Sequence, residues 1–133
     1  MDYTGKKRFR VEHTPTYGEI DIEIDFDKVN DMGDFGKEVP ILDSIKEMVL
    51  FFSDGESLID DFDGDYVKAF LKNICEKILR LQIEYYVNEI GIIRLFEKQE
   101  GYLPIDGSYG IELLSLDEIN TSDYSDYEIV EVK

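Results

Sequence analysis

Residues 19–27, EIDIEIDFD, alternate isoleucine or phenylalanine with a carboxylate at every step. Strict period-two alternation is the pattern of a strand with one buried face and one wet face. Ile20, Ile22, Ile24 and Phe26 then point to a core, and Glu19, Asp21, Glu23, Asp25 and Asp27 share the opposite side. Successive carboxylates on that side stand roughly 6.7 Å apart, two residues of strand rise. Each such pair repels by about 0.6 kcal/mol in unscreened water. A strand needing only solubility can use Thr or Lys at some of these positions. The unbroken acidic face is the feature to be explained, and its five carboxylates are the candidate partner-binding site.

Residues 8–14 also alternate, with Phe9, Val11 and His13 on one side and Arg8, Arg10 and Glu12 on the other. Taking residues 15–18 (PTYG) as a four-residue hairpin loop sets Thr14 opposite Glu19. His13, Val11 and Phe9 then meet Ile20, Ile22 and Ile24. On the wet face Arg10 opposes Glu23, Arg8 opposes Asp25, and Glu12 opposes Asp21 unfavourably. If it lies at a sheet edge, a strand this charged resists pairing with its own copy, which leaves the oligomeric state open.

The chain of 133 residues carries a net charge of −17, far beyond what solubility requires, yet 43% of it is apolar. It reads as one globular domain, 1–133. The charge disfavours direct contact with nucleic acid or an anionic membrane and favours a basic protein or cations. It is uneven: residues 12–65 and 100–133 hold the acid, while 1–11 and 66–99 are net basic. One cysteine, Cys75, forbids an intrachain disulfide. With no leader at its start and no apolar run of bilayer length, the sequence suggests a cytoplasmic setting.

After the hairpin, the Gly, Asn and Asp content of residues 30–37 predicts a loop. Pro40 opens an amphipathic helix over about 39–53, and an acidic loop follows at 53–65. Val67, Phe70, Leu71, Ile74, Ile78, Leu81 and Tyr85 form the stripe of a helix over 66–87. A break at 88–91, a shorter helix at 92–99 and a left-handed cap at Gly101 follow. Residues 102–110 are rich in turn formers, 111–116 and 127–132 read as strands, and 117–126 connect them. The expected fold is α+β: an antiparallel sheet of the N-terminal hairpin and the C-terminal strands, two to three helices on one face, in the order β-β-α-α-α-β-β.

Motifs of enzyme chemistry are missing: no G-x-S-x-G, H-E-x-x-H, phosphate loop or G-x-G-x-x-G occurs. His13 lies on an inward strand face, and Cys75 beside a helical stripe, so both read as packed residues. Asp61, Asp63 and Gly64 resemble part of a calcium loop. With Gly64 at the glycine position, however, Ile59 and Phe70 occupy ligand positions, and the motif fails. The expectation is a non-enzymatic protein with no cofactor and no dedicated metal site. Asp63 or Asp65 is expected to cap the next helix.

Phe9, Arg10 and Val11, the acidic second strand, and the run from Glu100, Gly101 and Tyr102 through Asp106 and Gly107 to Gly110 and Ile111 resemble a family of small acidic bacterial and phage proteins, a domain of unknown function. The resemblance covers about residues 8–119 and brings no assigned activity or site residues. It implies an inhibitor of host machinery or defence. A file of carboxylates resembles the charge of a nucleic-acid backbone and suits blocking a basic nucleic-acid-binding protein, such as a nuclease or defence complex. Tyr3, Tyr17, Tyr66, Tyr109, Tyr124 and Tyr127 are candidate aromatic anchors. Three readings stand beside this one: an immunity-type protein neutralising a cognate toxin, a cation-binding protein, and an acidic face that only keeps the chain in solution.

Overall fold

The computed structural model describes residues 3–31, 38–52, 54–99, 101–119 and 126–132. In chain order its elements are β1 (Lys6–His13), β2 (Gly18–Asp25), β3 (Val29–Asp31), β4 (Glu38–Pro40), α1 (Ile41–Phe51), α2 (Gly55–Asp61), α3 (Tyr66–Tyr85), α4 (Glu89–Phe96), β5 (Ile111–Leu116) and β6 (Tyr127–Val132). The fold is α+β, as its hydrophobic patterning requires. Strands β5-β2-β1-β6 form one antiparallel sheet, and β3 and β4 pair separately.

The two faces of the hairpin sort as their alternation predicts. Phe9, Val11, Ile20, Ile22 and Ile24 are buried, and the outward carboxylates of β2 other than Asp21 are partly exposed. The register differs from the expected one by two residues. His13 pairs with Gly18, so the loop is residues 14–17, and Tyr17 closes it with a φ of 60°. The His13 carbonyl accepts from both Thr16 N and Tyr17 N (3.2 and 2.8 Å). Lys6 now opposes Asp25, Arg8 opposes Glu23, Arg10 opposes Asp21 and Glu12 opposes Glu19. A two-residue slip leaves every side chain on its own face, so face patterning cannot exclude it. Charge does not choose between the registers either, since Lys6, Arg8 and Arg10 face carboxylates in both.

The charged strand does not lie at an edge of the sheet. The acidic strand β2 is interior, flanked by β1 and β5; the edges are β5 and β6. Its backbone is therefore paired on both sides, and its charge has no edge to protect.

Helix α3 packs on β1 and β6, α4 on β5, and α1 on α3. Asp65 caps α3, its side chain accepting from Val67 N and Lys68 N, which satisfies two of the free donors at a helix start. The stripe Val67, Phe70, Leu71, Ile74, Ile78 and Leu81 is buried, and the helix ends at Tyr86 with a φ of 55°. Asn88 caps α4 through Gly91 N. There are four helices among the described residues rather than two to three, because α2 lies inside the predicted loop 53–65. Leu58 is buried from that helix, and Gly55 sits so close to the Val49 carbonyl that a Cβ could not be accommodated. Of the predicted loop 30–37, Asn30 and Asp31 belong to β3, and the remainder lies outside the described residues.

Candidate functional site

On the outer face of the sheet the five candidate carboxylates are not equivalent. Asp21 is only 9% exposed. Arg10 on β1 grips it with two prongs, Nε to Oδ1 at 3.0 Å and Nη2 to Oδ2 at 3.2 Å. Its neighbour on the other side is Ser115, at a bulge between β2 and β5. Hydrogen bonding to Asp21, with the nearby charges of Asp21, Glu19 and Asp117, pushes the Arg10 pKa further up. Asp21 is thus a covered, neutralised group, and the expected unbroken file of wet carboxylates is interrupted at its second member.

The others have local partners of differing kinds. Asp25 opposes Lys6, and its Oδ1 accepts from Asp27 N at 3.1 Å. Asp27 lies just beyond the strand and accepts from Gly5 N at 3.1 Å, tying down the chain before β1. Glu23 is flanked by Arg8 on β1 and Glu112 on β5. Glu19 reaches Arg10 Nε at 2.7 Å. The base-rich start of the chain, Lys6, Arg8 and Arg10, lies along β2, beside Asp25, Glu23, Asp21 and Glu19.

The acid that the register sets against other acid collects at the loop end of the hairpin instead. There Glu128 on β6, Glu12 on β1 and Glu19 on β2 stand directly opposite one another across three strands. Asp117 continues the row: its Oδ2 accepts from Glu19 N at 2.8 Å and its backbone N donates to Glu19 O at 3.0 Å. Exposed Glu118 and Asp126 lie on the adjoining segments. Arg10 is in contact with this row through Glu19. Like charges facing each other across strands are destabilising, so the arrangement works against folding. Glu12, Asp117 and Glu128 were outside the candidate set, because their convergence depends on strand order. The faint sequence signal was the unfavourable charge at Glu12.

Gln82 on α3 holds the end of this row. Its Nε2 donates to Asp117 O at 3.0 Å, and its Oε1 accepts from Ile119 N at 3.3 Å. Both ends of a buried amide are satisfied, and the segment bearing Asp117 and Glu118 is fixed to the helix.

The aromatic anchors divide. Tyr17 is 77% exposed at the hairpin tip, beside the row. Tyr3 donates to Asp65 Oδ2 at 2.6 Å, and burial pushes its pKa up. Tyr127 packs beside His13, with ring centres 5.4 Å apart. Tyr66 and Tyr109 are half-buried, and Tyr124 lies outside the described residues.

His13 is buried with Nδ1 2.8 Å from Thr16 Oγ1. Cys75 is buried, and desolvation pushes its thiol pKa well up. In the Asp-rich segment Ile59 is half-buried and Phe70 is fully buried, packed in the core where a calcium loop needs ligands. No group of three or more potential metal ligands occurs among the described residues. No helix among them is long and apolar enough to cross a membrane. A cavity of 420 Å³ opens between the end of α3, α4 and the end of β5. Two of its polar groups are already bonded: buried Gln82 as above, and half-buried Glu89, whose Oε1 accepts from Leu116 N at 3.2 Å.

No protein-family model, curated protein or solved structure matches this chain. Its surface chemistry alone indicates what it can engage.

Proposed function

We propose that this protein is a non-enzymatic interaction module of the cytoplasm that docks the anionic loop end of its sheet into the basic groove of a nucleic-acid-binding protein. The observation that supports this reading is the row Glu128, Glu12, Glu19, a like-charge alignment kept on an ordered sheet at a cost in stability. Rigid strands, about 4.8 Å apart, fix where these carboxylates stand, so a groove of Lys and Arg meets a fixed array. Charge of this density steers encounter and makes affinity fall steeply with salt. Glu23, Asp25 and Asp27 extend the acidic surface along β2, Asp21 serves to seat Arg10, and Tyr17 supplies an aromatic anchor at the tip. The resemblance of residues 8–119 to phage and prophage proteins directs attention to nucleases and defence complexes, which this surface would inhibit by occupying their nucleic-acid site.

The test compares capture from a bacterial lysate by the wild-type chain and by the Glu12→Gln, Glu19→Gln, Glu128→Gln triple variant. The reading expects a basic protein retained by the wild type alone, and that protein, once purified, loses bound duplex DNA when the wild-type chain is added. Equal capture by both chains, or a captured protein that keeps its DNA, counts against it. A partner that binds no nucleic acid and is toxic on its own would transfer the surface to an immunity role.

A further inference from the structure

The sheet has one edge that the described residues leave open. At β5, Gly107 N donates to Ile111 O (2.9 Å), Leu113 N donates to Ile105 O (3.0 Å), and Asp106 bridges Glu112, so residues 105–107 cover that side. Among the described residues, strand β6 pairs with β1 only. Thr14 N donates to Asp126 O at 3.0 Å, which marks that pair as hydrogen-bonded. Because an antiparallel ladder alternates, Glu128, Val130 and Val132 also turn their backbone groups toward β1, and Ile129 and Glu131 turn theirs away. Among the described residues, the N–H and C=O of Ile129 and Glu131 have no backbone partner.

Side chains decide what this edge can accept. On the outer face β6 presents Glu128, at the end of the acidic row, and Val130, which is 51% exposed. On the inner face Glu131 is exposed, with Lys7 Nζ 3.1 Å away. A second copy of the chain would bring another net charge of −17 to the same edge, and that mutual repulsion disfavours self-pairing. A basic strand meets attraction instead.

We propose that β6 is the docking edge for an extended basic segment of the partner, which adds to the sheet as a fifth strand with Lys or Arg opposite Glu128 and an apolar residue opposite Val130. This rests on the basic-partner reading above and adds the mode of attachment. Backbone bonds to Ile129 and Glu131 hold the segment, and side chains two residues apart supply selectivity.

The test titrates the full chain at low salt with a short peptide of repeated Lys-Thr-Val-Thr, which places Lys and Val two residues apart on one face. The control is the same peptide with alternate backbone amides N-methylated, which keeps its charge and removes its donors. The unmodified peptide is expected to bind roughly tenfold or more tightly than the control and to slow hydrogen exchange at the Ile129 and Glu131 amides. Glu128→Gln is expected to weaken it about threefold, the value of one screened ion pair. Equal binding of the two peptides, without protection at Ile129 and Glu131, overturns strand addition and leaves the basic-partner reading standing. Binding of neither peptide overturns both. If the free chain is a dimer in which these amides are already protected, the edge belongs to a second copy and the proposal fails.

Discussion

Replacing Glu12 by Gln should make the protein more stable, and the gain should vanish in salt. Glu12 stands directly opposite Glu19 on one side and Glu128 on the other. Facing Cβ atoms lie about 5 Å apart, which puts the carboxylates at about 6 Å and each repulsion at about 0.7 kcal/mol in water. Two pairs give about 1.4 kcal/mol at low ionic strength. The Glu19 carboxylate leans 2.7 Å from Arg10 Nε, which draws it from Glu12 and lowers the sum toward about 1 kcal/mol. With a Debye length of about 3 Å at 1 M salt, little of this remains. Gln keeps the volume and a polar end, so packing is not disturbed. Urea denaturation of both proteins at low and at molar NaCl measures the difference. A gain that does not depend on salt, or a loss at low salt, would refute the reasoning that the row is strained by its own charge.

Three further outcomes follow from contacts elsewhere. Gln82→Met removes both amide bonds to the 117–119 segment and leaves Ile119 N unsatisfied in a buried place; a loss of about 2–3 kcal/mol is expected, seen as a lower urea midpoint with unchanged slope, and no loss would mean water replaces the amide freely. Gly55→Ala drives a Cβ into the Val49 carbonyl where α1 meets α2; thermal melting should show a loss of about 2 kcal/mol or more, and a neutral result would mean the two helices separate easily. Burial holds the Tyr3 and Tyr102 hydroxyls protonated above their ordinary value of 10.0. The folded chain then binds more protons than the unfolded one, so stability is intact below pH 10.0 and falls as pH rises past it. Denaturation at about pH 9 and about pH 11 checks this, and Tyr3→Phe should reduce the drop; a flat profile would contradict the assignment.

The alternation at residues 8–14 and 19–27 was enough to assign both faces of the hairpin, because burial enforces period two locally. Register was not legible, since slips of two residues keep the faces and leave Lys6, Arg8 and Arg10 opposite carboxylates in either case. Strand order was hidden for a different reason: pairing of β2 with β5 and of β1 with β6 joins residues about ninety or more apart in sequence, and no short pattern encodes it. That is why Glu12, Asp117 and Glu128 escaped the candidate set. Helix α2 was missed because Gly, Ser and Asp dominate its segment, although Leu58, Ile59 and Phe62 already carried a helical spacing. The cap at Asp65 was readable from its place before the apolar stripe.

The most direct test of the account is chemical-shift mapping of the labelled full chain during titration with a short oligo-arginine peptide at low salt. The sheet row predicts shifts centred on Glu12, Glu19, Asp117 and Glu128, lost in the triple Gln variant. Shifts centred on the acidic segment around Asp54, Asp60, Asp61 and Asp63, or spread evenly over all carboxylates, would contradict it.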